Sequence, residues 1–362
     1  MTRFIQLHAL TVYAPSNLNR DDTGRPKSAR FGGAERLRIS SQALKRAIRT
    51  SDAFHARVAG NRGERTQRLG EVVRLHLIGM GRAEDKAKTG AREIAKIFGA
   101  LEDENATNNK AAYIKQLAFI SPEERAAALA LADKLAAGET LPKDTKELVP
   151  LVLRKSDTAT DVAMFGRMLA DNPDFNREAA VQVAHAITTH KVEIEDDFYT
   201  AVDDLKKPSE DAGAGFIGEL GFGSGVFYLY ACIDRDLLEK NLGGNTGLAD
   251  TAIAAFMEGL TTASPTGKQA SFASRARASY LRVEKGTQQP RNLAAAYFKP
   301  VVADNLLKRS IALIEDKKTG IASQMNDAYG PCFDTARSMQ FIPGDADNHG
   351  SLPDLIAFAL EA

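Results

Sequence analysis

The chain has 362 residues with 47 Lys and Arg against 47 Asp and Glu, so its formal net charge is zero; 44% of it is apolar and 26% charged. Such a balance excludes a mostly disordered chain, and the length supports a core that needs no disulfide staples. Only Cys232 and Cys332 occur, which excludes a disulfide framework and every paired-cysteine zinc pattern and predicts a reducing cytoplasm. The N-terminal stretch lacks an extended apolar run, so neither export nor a membrane span is expected.

Residues 4–13 (FIQLHALTVY) are β-branched and aromatic-rich, and predict an opening strand. The segment 14–37, with Pro15, Gly24, Pro26, Gly32 and Gly33 and few apolar residues, predicts a long loop. From Ser40 the spacing becomes helical: Ser40 or Ser41 can cap, and Leu44, Ala47 and Ile48 form an inward stripe. Lys45, Arg46 and Arg49 then project away from that stripe. Arg20–Arg49 holds nine basic residues against three acidic, so it carries plus six and leaves the remainder at minus six. A cation cluster on a glycine-bearing loop, beside a helix N-terminus and two serine hydroxyls, suits phosphate, and scarce aromatics favour grip on a nucleic-acid backbone over base stacking.

Residues 55–180 are rich in Ala, Lys and Glu, which predicts an inserted helical region. Its clearest helix starts at Ser121, with Pro122 at the first turn and Glu124 completing a capping box, and stops at Gly138; another is expected over 161–169. There Met164 and Met168 share a helical stripe, which from spacing alone reads as core. Alternation at Val181, Val183, His185 and Ile187 predicts a half-buried strand. Glu193–Asp211 follows with eight acids against two lysines, then six glycines between Gly213 and Gly225, a segment expected to project. VFYLYACI (226–233) reads as a strand, 247–262 and 352–361 as helices, with a basic stretch between them at Lys268, Arg275, Arg277, Arg282 and Lys285.

Catalytic signatures are weak. The glycine pattern at Gly213, Gly215 and Gly218 follows an acidic loop and enters a strand, the wrong context for a dinucleotide site, and no P-loop, HExxH or GxSxG pattern occurs. His185 and His190, five apart in a strand, point to opposite faces, and Asp345, Asp347 and His349 read as a solvated loop before a metal site. No cofactor is implied.

The stretches SNLNRDDTGRPKSARFGGAERLRISSQALKRAIR, AHAITTHKVEIEDDFYTAVDDL, GSGVFYLYACI and NLGG resemble the CasC family of type I-E CRISPR Cascade backbone subunits, densely over the first fifty residues and 181–243 and loosely elsewhere. The resemblance implies an α+β fold: a modified RRM or ferredoxin-like palm (1–54, 181–192 and 225–362), a helical finger insertion (55–180) and a thumb β-hairpin (193–224). It implies a nonenzymatic, cytoplasmic protein that binds the CRISPR guide RNA (crRNA) in antiviral defence. Several copies, about six, would stack along the spacer beside other Cascade subunits, with target DNA engaged through guide pairing and no membrane partner.

By the same resemblance Arg20, Lys27, Ser40, Gln42, Lys45, Arg46 and Arg49 contact the guide from the palm, and Arg167 with Met168 from the finger. An apolar wedge near Ile217 at the thumb tip, with Phe216 or Leu220 as alternatives and Thr200 as a polar companion, would part stacked bases without reading them. Ala34 stands where the family can carry a lysine, which transfers that contact to Arg30 or Arg36. The competing expectation is a metal-dependent ribonuclease using Asp21, Asp22 or Asp197.

Overall fold

A computed structural model describes residues 2–106, 110–201 and 216–361, with the backbone alone at Thr145, Phe216 and Ile217. The chain divides into two units, one formed by Met1–Phe54, Val183–Ile233 and Ile253–Ala362, the other by His55–Gln182 and Asp234–Ala252. The second therefore takes in 234–252, a stretch that the sequence places with the palm.

The first unit is built on a large antiparallel sheet. Its main strands are β1 (Phe4–Ser16), β2 (Ser28–Phe31), β3 (Ala34–Ile39), β4 (Ala186–Thr188), β5 (Glu195–Ala201), β6 (Phe216–Asp234), β7 (Ala278–Gly286) and β8 (Thr335–Gln340), and the short strand Val181–Val183 pairs with β6 as well. They lie in the order β8-β7-β1-β6-β4-β3-β2, with β5 paired to an outer part of β6. On one face of β1, Gln6, His8 and Leu10 oppose Glu284, Arg282 and Tyr280 of β7. That face packs against Tyr228, Tyr230, Leu293, Tyr297 and Ile311.

Its interior is partly polar, and most of these groups are paired, although His8 Nε2 and Arg36 Nε have no hydrogen-bond partner among the described residues. The Tyr230 hydroxyl donates to Gln6 Oε1 at 3.0 Å, and the Glu284 carboxylate accepts from Arg291 at 2.9 Å and Arg282 at 2.7 Å. His8 Nδ1 meets the Tyr228 hydroxyl at 2.9 Å.

The expected long loop over 14–37 is only half a loop. Residues 28–39 fold back as the β2–β3 hairpin, in which Phe31 pairs with Ala34 across Gly32 and Gly33. Both glycines have positive φ, 59° and 79°, the conformation that a two-residue hairpin turn demands and other residues resist. Alternation along these strands is hidden by Arg30, Glu35, Arg36 and Arg38, so apolar periodicity gives no strand signal there.

The second unit is mainly helical. Helices Leu69–Gly79, Glu84–Ala95 and Pro122–Ala137 surround a core that includes Val73, Leu77, Ile94, Phe98 and Leu131. At Pro122–Ala137 the Ser121 hydroxyl accepts from the Glu124 N–H and the Glu124 carboxylate accepts from the Ser121 N–H, while Gly138 ends the helix at φ 94°. The helix expected over 161–169 is shorter, Thr160–Phe165, because Gly166 turns the chain at φ 78°.

Candidate nucleic-acid interface

The first unit's cation cluster is assembled by two asparagines. Asn17, fully buried, donates to Gly24 O at 3.0 Å and to Gly221 O at 2.9 Å, tying the turn to β6. Asn19 joins the loop to the helix: its carbonyl accepts the Lys27 N–H at 2.8 Å, and its side-chain oxygen accepts the Ser40 N–H at 2.9 Å. Between them the Asp21 carboxylate accepts from Thr23 N–H, Thr23 Oγ1 and Arg25 N–H, closing a local turn. The hydroxyl of Thr23 and these backbone donors hold the Asp21 carboxyl below the usual carboxylate range. All three bonds fall on Oδ1, which gives that oxygen a structural task in the turn.

Helix α1 (Ser41–Arg49) starts at this junction. Ser40 takes the cap position, its hydroxyl accepting from the Ala43 N–H at 3.3 Å, and Leu44, Ala47 and Ile48 are buried. Ser40 is itself mostly buried and its hydroxyl is committed to the cap, so it supports the site from within. Gln42 and Arg46 are exposed, Lys45 and Arg49 half-buried. Burial lowers the Lys45 pKa, since its ammonium has lost part of its water.

The nine cations of 20–49 divide by environment. Arg36 is 0% exposed and donates to Thr188 O and Tyr297 O, both at 2.9 Å, which makes it a brace inside the sheet and unavailable as the substitute contact expected from Ala34. Arg25 pairs with Asp196 at 3.0 Å and Glu219 at 3.7 Å, on the β5–β6 hairpin. Arg38 reaches His185 Nδ1 at 2.8 Å, and desolvation, then the Arg38 and Lys27 charges, depress the His185 pKa. Arg20, Lys27, Arg30 and Arg46 have no carboxylate partner among the described residues. These four and the exposed Gln42, with the half-buried Lys45 and Arg49 on the same helix, make up a polar, cation-rich surface. Its positive potential suits a chain of phosphates.

On the hairpin, β5 pairs with β6 from Glu195↔Phe222 to Ala201↔Phe216, so Thr200 opposes Ile217. Thr200, Phe198 and Tyr199 are exposed. The expected thumb continues through 202–215, outside the described residues, as do the side chains of Phe216 and Ile217. Gly213 and Gly215 of the glycine pattern fall there too, whereas Gly218 lies in a strand opposite Tyr199. Asp197 is exposed on the same strand.

In the second unit Arg167 and Met168 part company. Beyond Gly166 the chain is extended, Arg167 bridging to Arg177, so successive side chains alternate. Arg167 turns inward, donating to Glu124 at 2.5 Å and to Phe119 O at 3.2 Å, and is therefore a framework residue. Its expected role as a guide-contacting side chain does not fit that burial. Met168 is 78% exposed, which also removes it from the core stripe suggested by its spacing from the buried Met164.

Elsewhere, Asp345 pairs with Lys308 at 2.7 Å and accepts the Asp347 N–H at 2.9 Å. Among the described residues no group of three or more His, Cys, Asp or Glu side chains is placed to hold a metal ion, and no helix is long and apolar enough to cross a membrane. Asn17 and Asn19 were not singled out by sequence; the signal available was an Asn-x-Asn pair just before Arg20.

Comparison with known proteins bears on this surface. A chain in a structure described as "CRISPR RNA-guided surveillance complex, pre-nicking" is 28% identical and superposes with a TM-score of 0.83 over 99% of both chains. A chain of a "CRISPR RNA-guided surveillance complex" is 25% identical, with a TM-score of 0.74, again over 99% of both. No curated protein matches in sequence. The family model for CT1975-like protein matches residues 5–350. Spanning nearly the whole chain, that match places the protein in the CT1975-like protein family.

Proposed function

We propose that this protein is a guide-RNA-binding backbone subunit of a Cascade-type CRISPR surveillance complex, of the type I-E class, in which several copies line the spacer and present it for pairing with target DNA. The observation that carries this reading is the open cation surface: Arg20, Lys27 and Arg46 stand without carboxylate partners among the described residues, around a loop and helix that two asparagines lock together. Full-length likeness to chains of RNA-guided complexes supports the choice of polyanion.

Contacts of this kind grip phosphates without reading bases, so any guide sequence is accepted, and specificity belongs to base pairing. Met168 on the helical unit and Ile217 and Thr200 on the hairpin supply sequence-independent contacts to the bases. Apolar side chains can wedge between bases by shape alone. The protein's part in this is binding, without catalysis.

Coexpression with a guide RNA and partner subunits tests the reading. A multi-copy particle containing RNA, and leaving added target RNA intact in magnesium, is the expected result. A particle of the same composition assembled without nucleic acid would overturn guide binding, and periodic cuts in the target RNA would overturn the noncatalytic role.

A further inference from the structure

The basic stretch near residue 270 is a second feature that the first surface does not absorb. Of its five cations, Arg282 pairs with Glu284 and Glu315, and the Lys285 ammonium donates to Glu361 O, so these two are internal braces. Lys268, Arg275 and Arg277 differ. Residues 264–277 contain these three cations and no acid, Arg275 and Arg277 are exposed, Lys268 is half-buried, and none has a carboxylate partner among the described residues.

The loop that carries them is held in a costly shape. Lys268 and Ala273, on either side of the short helix Gln269–Phe272, both adopt left-handed backbone, φ 48° and 49°. Non-glycine residues are strained there, and such strain persists where surrounding contacts enforce it. The enforcing contacts are visible. Gly267 lies so close to the first loop that a Cβ would stand 2.2 Å from Leu18 O, Ser264 Oγ donates to Ala276 O at 3.2 Å, and the Phe272 and Phe222 rings are 6.0 Å apart. Buried Ser274 keeps a hydroxyl with no partner among the described residues. Gly267 packs on the backbone of residues 17–18, two residues before Arg20, so the two basic loops meet on the sheet unit.

We infer that Lys268, Arg275 and Arg277 form a second phosphodiester-binding loop that extends the Arg20–Lys27 surface along the same RNA strand. The inference rests on the guide-binding reading and assigns it a further set of residues. Each cation neutralises a phosphate and releases a counterion, so removing contacts lowers the salt dependence of binding as well as its strength.

The test uses the intact coexpressed assembly, comparing guide retention against salt for wild type, K268A/R275A/R277A and R20E/K27E/R46E. For the loop variant the log–log slope should become shallower by about 2, at roughly 0.7 per lost single-strand contact, with guide affinity down about tenfold or more. If R20E/K27E/R46E strips the RNA while the loop variant keeps wild-type slope and affinity, the second loop is overturned and guide binding stands. If wild type itself holds no RNA, both fall. Loss of copies per particle with RNA affinity unchanged would also overturn it, and would point to the acidic 193–211 stretch of a neighbouring copy as the loop's partner. Because the triple variant could relax the strained loop, acetylation of Lys268 in wild type gives an independent readout. Bound guide should shield it, and equal labelling with and without guide contradicts the inference.

Discussion

Arg36 and Arg46 show how differently two arginines of one basic run can be used. Arg36 is sealed within the sheet unit, where its guanidinium satisfies Thr188 O and Tyr297 O; Arg46 stands on the outer face of α1. R36A should therefore cost about 3 kcal/mol or more, from two orphaned carbonyls and a cavity, read as a lower denaturation midpoint. M168A, by contrast, removes a side chain that is 78% exposed and should leave stability within about 0.5 kcal/mol of wild type. A large loss for M168A would show that the residue is packed after all. Composition cannot separate such cases, because a charge count is blind to which guanidinium faces a carbonyl. The site was thus legible as a region, while the choice among its arginines depended on contacts made more than a hundred residues along the chain.

At the level of elements, patterns that rest on local chemistry were readable and those that rest on tertiary pairing were not. The capping box at Ser121 and Glu124 and the stripe of Leu44, Ala47 and Ile48 are short-range signals, and both elements stand where those signals put them. The β2–β3 hairpin escaped because its strands are charged and short, leaving Gly32–Gly33 as the sole mark; G33A should weaken that hairpin by about 1 kcal/mol through its positive φ, measurable in a thermal melt. The β1–β7 pair makes a pH prediction. Burial lowers the His8 pKa, outweighing the opposing effect of Glu284, so His8 stays neutral in the folded chain below about 6.5, where the unfolded chain takes up a proton. Stability is then highest above that pH and falls as pH drops through it, by at most about 1.4 kcal/mol per pH unit for this group, and H8Q should flatten the slope. Glu284 acts in a lower window. Burial alone would raise its pKa, but His8 at 3.7 Å, the hydrogen bonds from Arg291 and the Arg282 charge hold it far below the usual range, so its contribution is lost only as pH falls below about 4.5. A midpoint that does not move between pH 7 and 5 in wild type would contradict the His8 assignment.

For the whole molecule, a net charge of zero conceals a separation of charge: plus six in Arg20–Arg49, and a run of eight acids against two lysines in Glu193–Asp211. Within one chain this separation is partly joined, since Arg25 meets Asp196 and Glu219, yet Arg20, Lys27, Arg30 and Arg46 remain open among the described residues. Open cations on a rigid frame imply binding that weakens steeply with salt and tolerates any base sequence. The division into a sheet unit and a helical unit was visible as a shift in composition near residue 55, but the return of 234–252 to the helical unit was not, because its pattern is that of any amphipathic segment. Guide content of the purified assembly, read from its absorbance ratio and size, bears most directly on the whole account when wild type is compared with K45E/R46E/R49E. RNA-loaded wild type and an RNA-free or collapsed particle for a variant whose isolated chain melts normally is the predicted result; undiminished RNA in that variant would contradict the assignment of these cations to the guide.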